Sequence, residues 1–152
     1  MIKQGDISMN WKNEAIDRLK RYDSMKAAAV NMAEELKELS ERITSIKSAM
    51  SSSVTVKTSA DFNEKLLNDL AQKEEMAAAL RSAKSWLKVT ERALKVLKPE
   101  EKMVLYRMYI TRERGALDRL CEELECEIST VYRRRDEALK RFTMSLYGYT
   151  ET

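Results

Sequence analysis

The chain has 152 residues, of which 35% are charged and 7% are aromatic, and it contains one proline and three glycines. This balance suits long solvated helices better than a sandwich or a doubly wound sheet. The formal net charge is +3, which does not by itself indicate a nucleic-acid-binding protein unless the basic residues share one face. We therefore expect an all-α protein with one elongated helical region and one small domain.

The sequence offers little material for metal, disulfide or catalytic chemistry. Cys121 and Cys126 are its two cysteines and it has no histidine, so one chain cannot supply four Cys or His ligands to zinc or build a disulfide framework. It has no glycine-rich phosphate loop and no serine or cysteine triad. We expect no enzyme activity, no cofactor and no metal, and we assign both cysteines structural roles.

The distribution of apolar residues along the chain indicates where in the cell the protein is expected. No apolar run approaches the roughly 18 residues of a membrane span, and the N-terminus lacks the apolar core of a signal peptide. We therefore expect a cytoplasmic protein without a membrane partner.

The first half of the chain carries a heptad pattern. Apolar residues recur at spacings of three and four, at Tyr22, Met25, Ala29, Met32, Leu36, Leu39, Ile43, Ile46 and Met50. This seam predicts a helix that begins near residues 8–10 and pairs with another helix. The stretch SSSVTVKTS at 51–59 is rich in serine and β-branched residues, which predicts a connection.

A second long helix is predicted after this connection. Asp61 with Glu64 would cap its start, and Thr58 with Asp61 would serve equally well. Its apolar seam is clearest at Met76, Leu80, Ala83, Leu87, Thr90, Leu94 and Leu97. Another apolar stripe near its end predicts packing against the C-terminal region or another subunit; this stripe consists of Trp86, Val89, Ala93 and Val96.

The two helices are about equally long, which predicts an antiparallel helical hairpin, a coiled coil, over residues 8–97 with a break at 51–60. The alternative is a parallel dimeric coil in which the second helix is unpaired. Either arrangement leaves oligomerisation open, and we expect a homo-oligomer formed through the hairpin.

Residues 98–147 predict a module of three short helices. Pro99 tolerates the first turn of a helix and Glu100 and Glu101 favour its positive end, so these residues mark the start of the first helix. Thr111–Gly115 is predicted to form the exit turn, and we expect a frayed tail at 148–152.

The next two helices, predicted over 117–124 and from Ile128 to Phe142 or a little beyond, have the spacing of a helix-turn-helix unit. Such a unit needs a small residue where its helices cross and a β-branched residue ten positions later. Cys121 and Val131 satisfy this spacing.

The run LKPEEKMVLYRMYI resembles the helix that precedes the DNA-binding unit in region 4 of bacterial sigma factors. The run ISTVYRRRDEALKRF resembles the recognition helix of that unit. Together with the heptad hairpin and the serine-rich break, the chain resembles phage-encoded ArpU-like transcriptional regulators over nearly its whole length. The stretch STVYRRR, with the Ala and Phe that follow it, is the specific part.

The resemblance implies which side chains of the last helix face the major groove, namely Ser129, Thr130, Tyr132, Arg133 and Asp136. Arg133 is the best base-reading residue, because bidentate Arg to guanine is the commonest specific contact. The remaining basic residues are expected to contact phosphates or to be solvated; they are Arg134, Arg135, Lys140 and Arg141. The alternative is an ordinary amphipathic helix with a charged outer face.

Charge is polarised within the module. Residues 128–142 contain five basic and two acidic side chains, whereas residues 117–127 contain one basic and five acidic ones. The chain departs from the family pattern at Glu125, where the turn usually has Gly, and at Glu127, where a Ser cap is common. A left-handed backbone at Glu125 would cost roughly 1 to 2 kcal/mol.

The sequence therefore predicts a phage or prophage transcription regulator that contacts double-stranded DNA through the third helix of its C-terminal module. It would act in the bacterial host cytoplasm, with RNA polymerase as a further partner. One alternative is a small terminase subunit that functions in DNA packaging. The other is an adaptor that binds RNA polymerase without binding DNA.

Overall fold

The computed structural model describes the backbone of residues 4–52 and 56–148 and the side chains of residues 11–51 and 60–148. All regular structure in these residues is helical, which confirms the all-α class. The helices are α1 (Gln4–Ser52), α2 (Val56–Lys95), α3 (Pro99–Leu105) with a π-helical continuation (Tyr106–Ile110), α4 (Ala116–Leu124) and α5 (Ile128–Tyr147).

The two long helices extend further than predicted. Helix α1 begins at Gln4, before the expected start at residues 8–10, and it continues through Ser52. Helix α2 begins at Val56, so the predicted caps at Thr58 and Asp61 were wrong. Serine and β-branched residues cost only a few tenths of a kcal/mol each in a helix, which is too little to stop one. Within the predicted break at 51–60, residues 51, 52 and 56–60 are therefore helical, and residues 53–55 lie outside the described residues.

The helix starts in the C-terminal third agree closely with the sequence analysis. Helix α3 begins at Pro99, the exit turn occupies 111–115, and α5 begins at Ile128. Helix α5 continues to Tyr147, beyond the expected end near Phe142, and Gly148 follows it in a left-handed conformation with φ of 82°. The remainder of the predicted frayed tail, residues 149–152, lies outside the described residues.

The chain divides into two compact units. The first combines α1 up to Met25 with the chain from Trp86 onwards, and the second is Lys26–Ser85. The predicted functional division into a hairpin over 8–97 and a module over 98–147 stays a prediction, as do the antiparallel pairing of the whole hairpin and its dimeric alternative.

The first unit has a large core to which each of its helical segments except α4 contributes. This core comprises Ala15, Leu19, Tyr22, Ala93, Leu94, Leu97, Leu105, Tyr109, Ile110, Ala138, Leu139 and Phe142. The end of α2 thus packs against the C-terminal helices, as its apolar stripe predicted. Trp86 and Ala93 follow that prediction, whereas Val89 and Val96 are exposed.

A smaller core joins α3, α4 and α5 and contains Val104, Leu120 and Val131. Cys121 and Cys126 pack against it, so Cys121 and Val131 share a cluster as their spacing predicted. Burial raises the pKa of the Cys121 thiol, which disfavours the reactive thiolate. Helix α5 packs against both α3 and α4, and these contacts cover the smaller core.

The second unit contains the heptad seam of α1 from Ala29 onwards. Ala29, Leu39, Ile43 and Ile46 of α1 are buried, and so are Leu80 and Ala83 of α2. A polar contact joins the two helices here, because Arg42 Nε lies 3.3 Å from Oδ2 of the buried Asp69. In the described part of the chain, no helix is both long enough and apolar enough to cross a membrane.

Candidate nucleic-acid interface

The turn between α4 and α5 is built around Glu125. Its φ of 50° and ψ of 48° place it in the left-handed region, as the position of the usual Gly predicted. The Cys126 N–H donates to the Cys121 carbonyl at 3.1 Å, and the Glu125 N–H donates to the Glu122 carbonyl at 3.4 Å. These two bonds form a Schellman motif, in which Gly normally occupies the left-handed position. The turn therefore has the usual Schellman geometry, but the backbone of Glu125 is strained because a residue with a Cβ is unfavourable in this conformation.

Glu127 is the N-cap residue that precedes α5; its backbone is extended and its side chain makes no capping hydrogen bond. The Glu127 carbonyl instead accepts the N–H groups of Thr130 and Val131 at 3.0 and 3.2 Å. The carboxylate lies at the positive end of the helix dipole, where a negative charge is favourable. It also puts a negative charge beside the first turn of the proposed recognition helix.

Burial fixes which face of α5 points to solvent. Its inner face consists of Val131, Ala138, Leu139, Phe142 and Thr143, all buried. Since these positions follow the helical repeat, the side chains between them point away from the core. Of the five residues predicted to face DNA, Ser129, Tyr132 and Arg133 are exposed, and Thr130 and Asp136 are partly buried.

An open groove runs along the outer face of α5. It brings together five of the predicted site residues, namely Ser129, Tyr132, Arg133, Asp136 and Lys140, with Glu137 beside them. Trp11 and Lys12 of α1 line the same groove. The sequence analysis missed both, because nothing in a heptad pattern indicates contact with a residue at the other end of the chain.

Arg134 and Arg141 lie on a different flank of α5, the one that faces α3. Arg134 Nη1 is 2.9 Å from Glu100 Oε2, and Arg141 Nε is 3.6 Å from Oε2 of the buried Glu101. These arginines therefore connect α5 to α3 and lie outside the groove.

Arg135 is held against its own helix. Its Nη2 and Nε donate to Asp136 Oδ1 at 2.9 and 3.1 Å, and its guanidinium stacks on the Tyr132 ring with 4.8 Å from Cζ to the centroid. Partial burial alone would lower the pKa of Arg135, but the hydrogen bond to Asp136 and the nearby Tyr109 outweigh it and raise that pKa. Arg135 thus stays charged and positions the Tyr132 ring.

Arg133 and Lys140 differ from the other basic residues of α5. Both are exposed, and neither forms an ion pair within the residues that the structure describes. Asp136, between them on the groove, has its charge opposed by Arg135 and by Lys12 Nζ at 3.5 Å. The groove therefore presents two exposed cations, Arg133 and Lys140, beside one paired carboxylate, Asp136, and one exposed carboxylate, Glu137.

The acidic helix α4 is partly neutralised from within the unit. Arg107 Nη2, in the π-helical segment, lies 2.7 Å from Glu123 Oε2, and the hydrogen bond from Arg107 lowers the pKa of Glu123. Arg112, in the exit turn, has a left-handed φ of 50° and donates from Nη2 to the Lys20 carbonyl of α1 at 2.8 Å. No sequence signal indicated the π-helical segment or this link.

Within the described residues, no three Cys, Asp or Glu side chains are grouped so that they could hold a metal ion. Comparisons with protein-family models, with curated proteins and with solved structures find no match for this chain. The resemblance to sigma factor region 4 and to ArpU-like regulators therefore depends on the sequence runs quoted above.

Proposed function

We propose that this chain is a phage or prophage transcription regulator that binds duplex DNA through the outer face of α5. The observation that carries the proposal is the pair of exposed cations, Arg133 and Lys140, on a helix whose opposite face is buried. A rigidly packed helix with free donors on its outer face suits the major groove, which is about 12 Å wide and admits one helix.

The spacing of the two cations supports different roles for them. Arg133 and Lys140 are two helical turns apart, about 10 Å along the axis. When the N-terminal end of α5 enters the groove, Arg133 lies nearer to the base edges, and Lys140, further along the axis, lies nearer to a phosphate at the groove edge. The planar guanidinium of Arg133 suits guanine, and the flexible ammonium of Lys140 suits a phosphate.

The polar residues around Arg133 fit the same orientation. Ser129 and Thr130 are in the first turn of α5, where hydroxyl and backbone donors contact phosphates in many helix–DNA complexes. The Tyr132 ring is held by Arg135, so its hydroxyl would meet the DNA from a fixed position. The negative charge of Asp136 opposes phosphate binding, but Lys12 and Arg135, which lie beside Asp136, reduce that effect.

The proposal is tested by titrating the full chain into a labelled duplex and following fluorescence anisotropy at several salt concentrations. The duplex is the tightest binder selected from a random-sequence pool. We expect binding that weakens as salt rises, and a loss of at least about tenfold in affinity in the double variant Arg133→Ala with Lys140→Ala.

The matched control is Arg81→Ala with Lys84→Ala, which removes the same two charges from exposed positions of α2 in the second unit. It should retain the affinity of the unmodified chain within about threefold, since distant charges act only through screened electrostatics. Equal losses in the two double variants would contradict the assignment of α5.

Two other outcomes would support the alternative functions. A ring-shaped oligomer in a native mass measurement, together with DNA binding, would favour DNA packaging. Retention of RNA polymerase by a chain that shows no salt-sensitive DNA binding would favour the adaptor.

A further inference from the structure

Helix α1 supplies a lysine to the groove on α5. Lys12 Nζ lies 3.5 Å from Asp136 Oδ1 and 5.8 Å from the centroid of the Trp11 ring. Trp11 itself packs against the large core of the first unit. The ammonium is thus held beside the outer face of α5 by a carboxylate and by an aromatic ring that the core fixes in place.

We propose that Lys12 is a phosphate-binding residue of the DNA interface, so that the interface is assembled from both ends of the chain. This inference depends on the proposed function of α5. It adds a contact that neither the resemblance nor the recognition helix supplies.

The dimensions of DNA support this placement. A helix with its side chains is about 10 to 12 Å across and nearly fills a major groove about 12 Å wide. Sugar–phosphate backbone therefore lies on either side of an inserted helix. Lys12 lines the same groove as Arg133 and Lys140 but comes from a different helix, so it is placed at the flank of α5, where a backbone would pass.

The chemistry of Lys12 also suits a shared contact. Its ammonium has three donors, and its side chain is 40% exposed beside Asp136. Lys12 can therefore keep its contact with Asp136 while it donates to a phosphate oxygen. In doing so it would hold a positive charge between two negative groups that otherwise repel each other.

The test compares Lys12→Gln with Lys20→Gln, which removes the same charge from an exposed position of the same helix and the same unit. Anisotropy titrations of the full chain with the selected duplex are repeated over a range of salt concentrations. One lost phosphate contact lowers the magnitude of the slope of log K against log salt by about 0.9 and weakens binding by roughly 3- to 10-fold.

We expect that change in Lys12→Gln and an unchanged slope in Lys20→Gln. Lys12→Arg, which keeps the charge, should retain the slope of the unmodified chain. Circular dichroism and a thermal melt verify that each variant is folded.

Two results would overturn the inference, and they differ in what else they overturn. If Lys12→Gln and Lys20→Gln behave alike while Arg133→Ala with Lys140→Ala loses binding, Lys12 does not contact phosphate and the function proposed for α5 stands. If the unmodified chain shows no salt-dependent binding to the duplex, both proposals are wrong.

Discussion

The basic side chains of α5 occupy two regions that differ in what they contact. On the flank that faces α3, Arg134 and Arg141 lie against Glu100 and Glu101. On the outer face, Arg133 and Lys140 are exposed and form no ion pair among the described residues. Successive residues of a helix point about 100° apart, so neighbouring arginines in one run can serve different purposes.

Because of this difference, we expect the two regions to contribute separately to the stability of the fold and to the binding of DNA. A cation that already has a carboxylate beside it must share or lose that partner in order to bind a phosphate, whereas an exposed cation gives up only water. We therefore expect substitutions on the α3-facing flank to change mainly the free energy of unfolding. Substitutions on the outer face should change mainly the affinity for DNA.

The buried inner face of α5 holds the helix in place, and Phe142→Ala removes part of that support. Phe142 is fully buried in the large core, so its truncation should lower the free energy of unfolding by about 3 to 5 kcal/mol. Denaturant unfolding measures this change. Met144→Ala, at an exposed position of the same helix, is the control and should cost less than about 1 kcal/mol. Similar losses in the two variants would show that α5 is not packed as described.

Glu101→Ala tests the flank that faces α3. The buried Glu101 accepts the Lys98 N–H at 2.9 Å through Oε1 and lies beside Arg141 through Oε2. Loss of the cap and of this neighbour should cost about 1 to 2 kcal/mol. Glu100→Ala removes only the exposed partner of Arg134 and should cost at most about 1 kcal/mol. Chemical denaturation of both variants gives the order, and a larger loss in Glu100→Ala would reverse the account of this flank.

Glu125→Gly tests whether the turn that precedes α5 is strained. Because Glu125 has a left-handed backbone, glycine should raise the free energy of unfolding by about 1 kcal/mol. The same substitution at Glu122, inside α4, should lower it by about 0.5 to 1 kcal/mol. The two variants are therefore expected to shift the thermal midpoint in opposite directions. A shift in the same direction would mean that the turn is not strained.

The smallest expected effect is on the pH dependence of stability, and it comes from the ion pair between Arg107 and Glu123 outside α5. The hydrogen bond from Arg107 holds the pKa of Glu123 below its ordinary value. The stabilisation is therefore present above that ordinary value, about 4.5, and is lost as pH falls through the lowered pKa of the folded chain. Glu123→Gln should remove this component, so the variant's stability should fall less steeply on acidification below about pH 4.5. Thermal melts across that range measure the difference, and identical pH profiles would contradict the Arg107–Glu123 contact.

Local signals predicted the C-terminal helices well. Pro99 marked the start of α3, and the spacing from Cys121 to Val131 identified two residues of one core cluster. The strained position of Glu125 followed from the usual Gly of the turn. The first two features depend on neighbours in sequence or on the helical repeat, both of which are visible without a structure, whereas the position of Glu125 was expected from the family resemblance.

Contacts between distant parts of the chain were not predictable in this way. The serine-rich stretch looked like a connection, yet Ser51, Ser52 and the residues from Val56 onwards are helical. Sequence spacing also cannot tell which arginine of the run at 133–135 meets Glu100, or that Lys12 meets Asp136. Such pairings depend on how the helices pack, which periodicity alone does not determine.

Arg133→Ala and Arg134→Ala change two adjacent arginines, one on the outer face of α5 and one on the flank that faces α3, and together they test whether the outer face binds DNA. Affinity for the selected duplex is measured by anisotropy, alongside the free energy of unfolding. Arg133→Ala should weaken binding by about 10- to 100-fold, as expected for a lost bidentate contact to a base, with little change in stability. Arg134→Ala should keep its affinity within about threefold, because Arg134 already lies against Glu100. Equal losses of affinity, or a larger loss in Arg134→Ala, would contradict the assignment of the outer face of α5 to DNA.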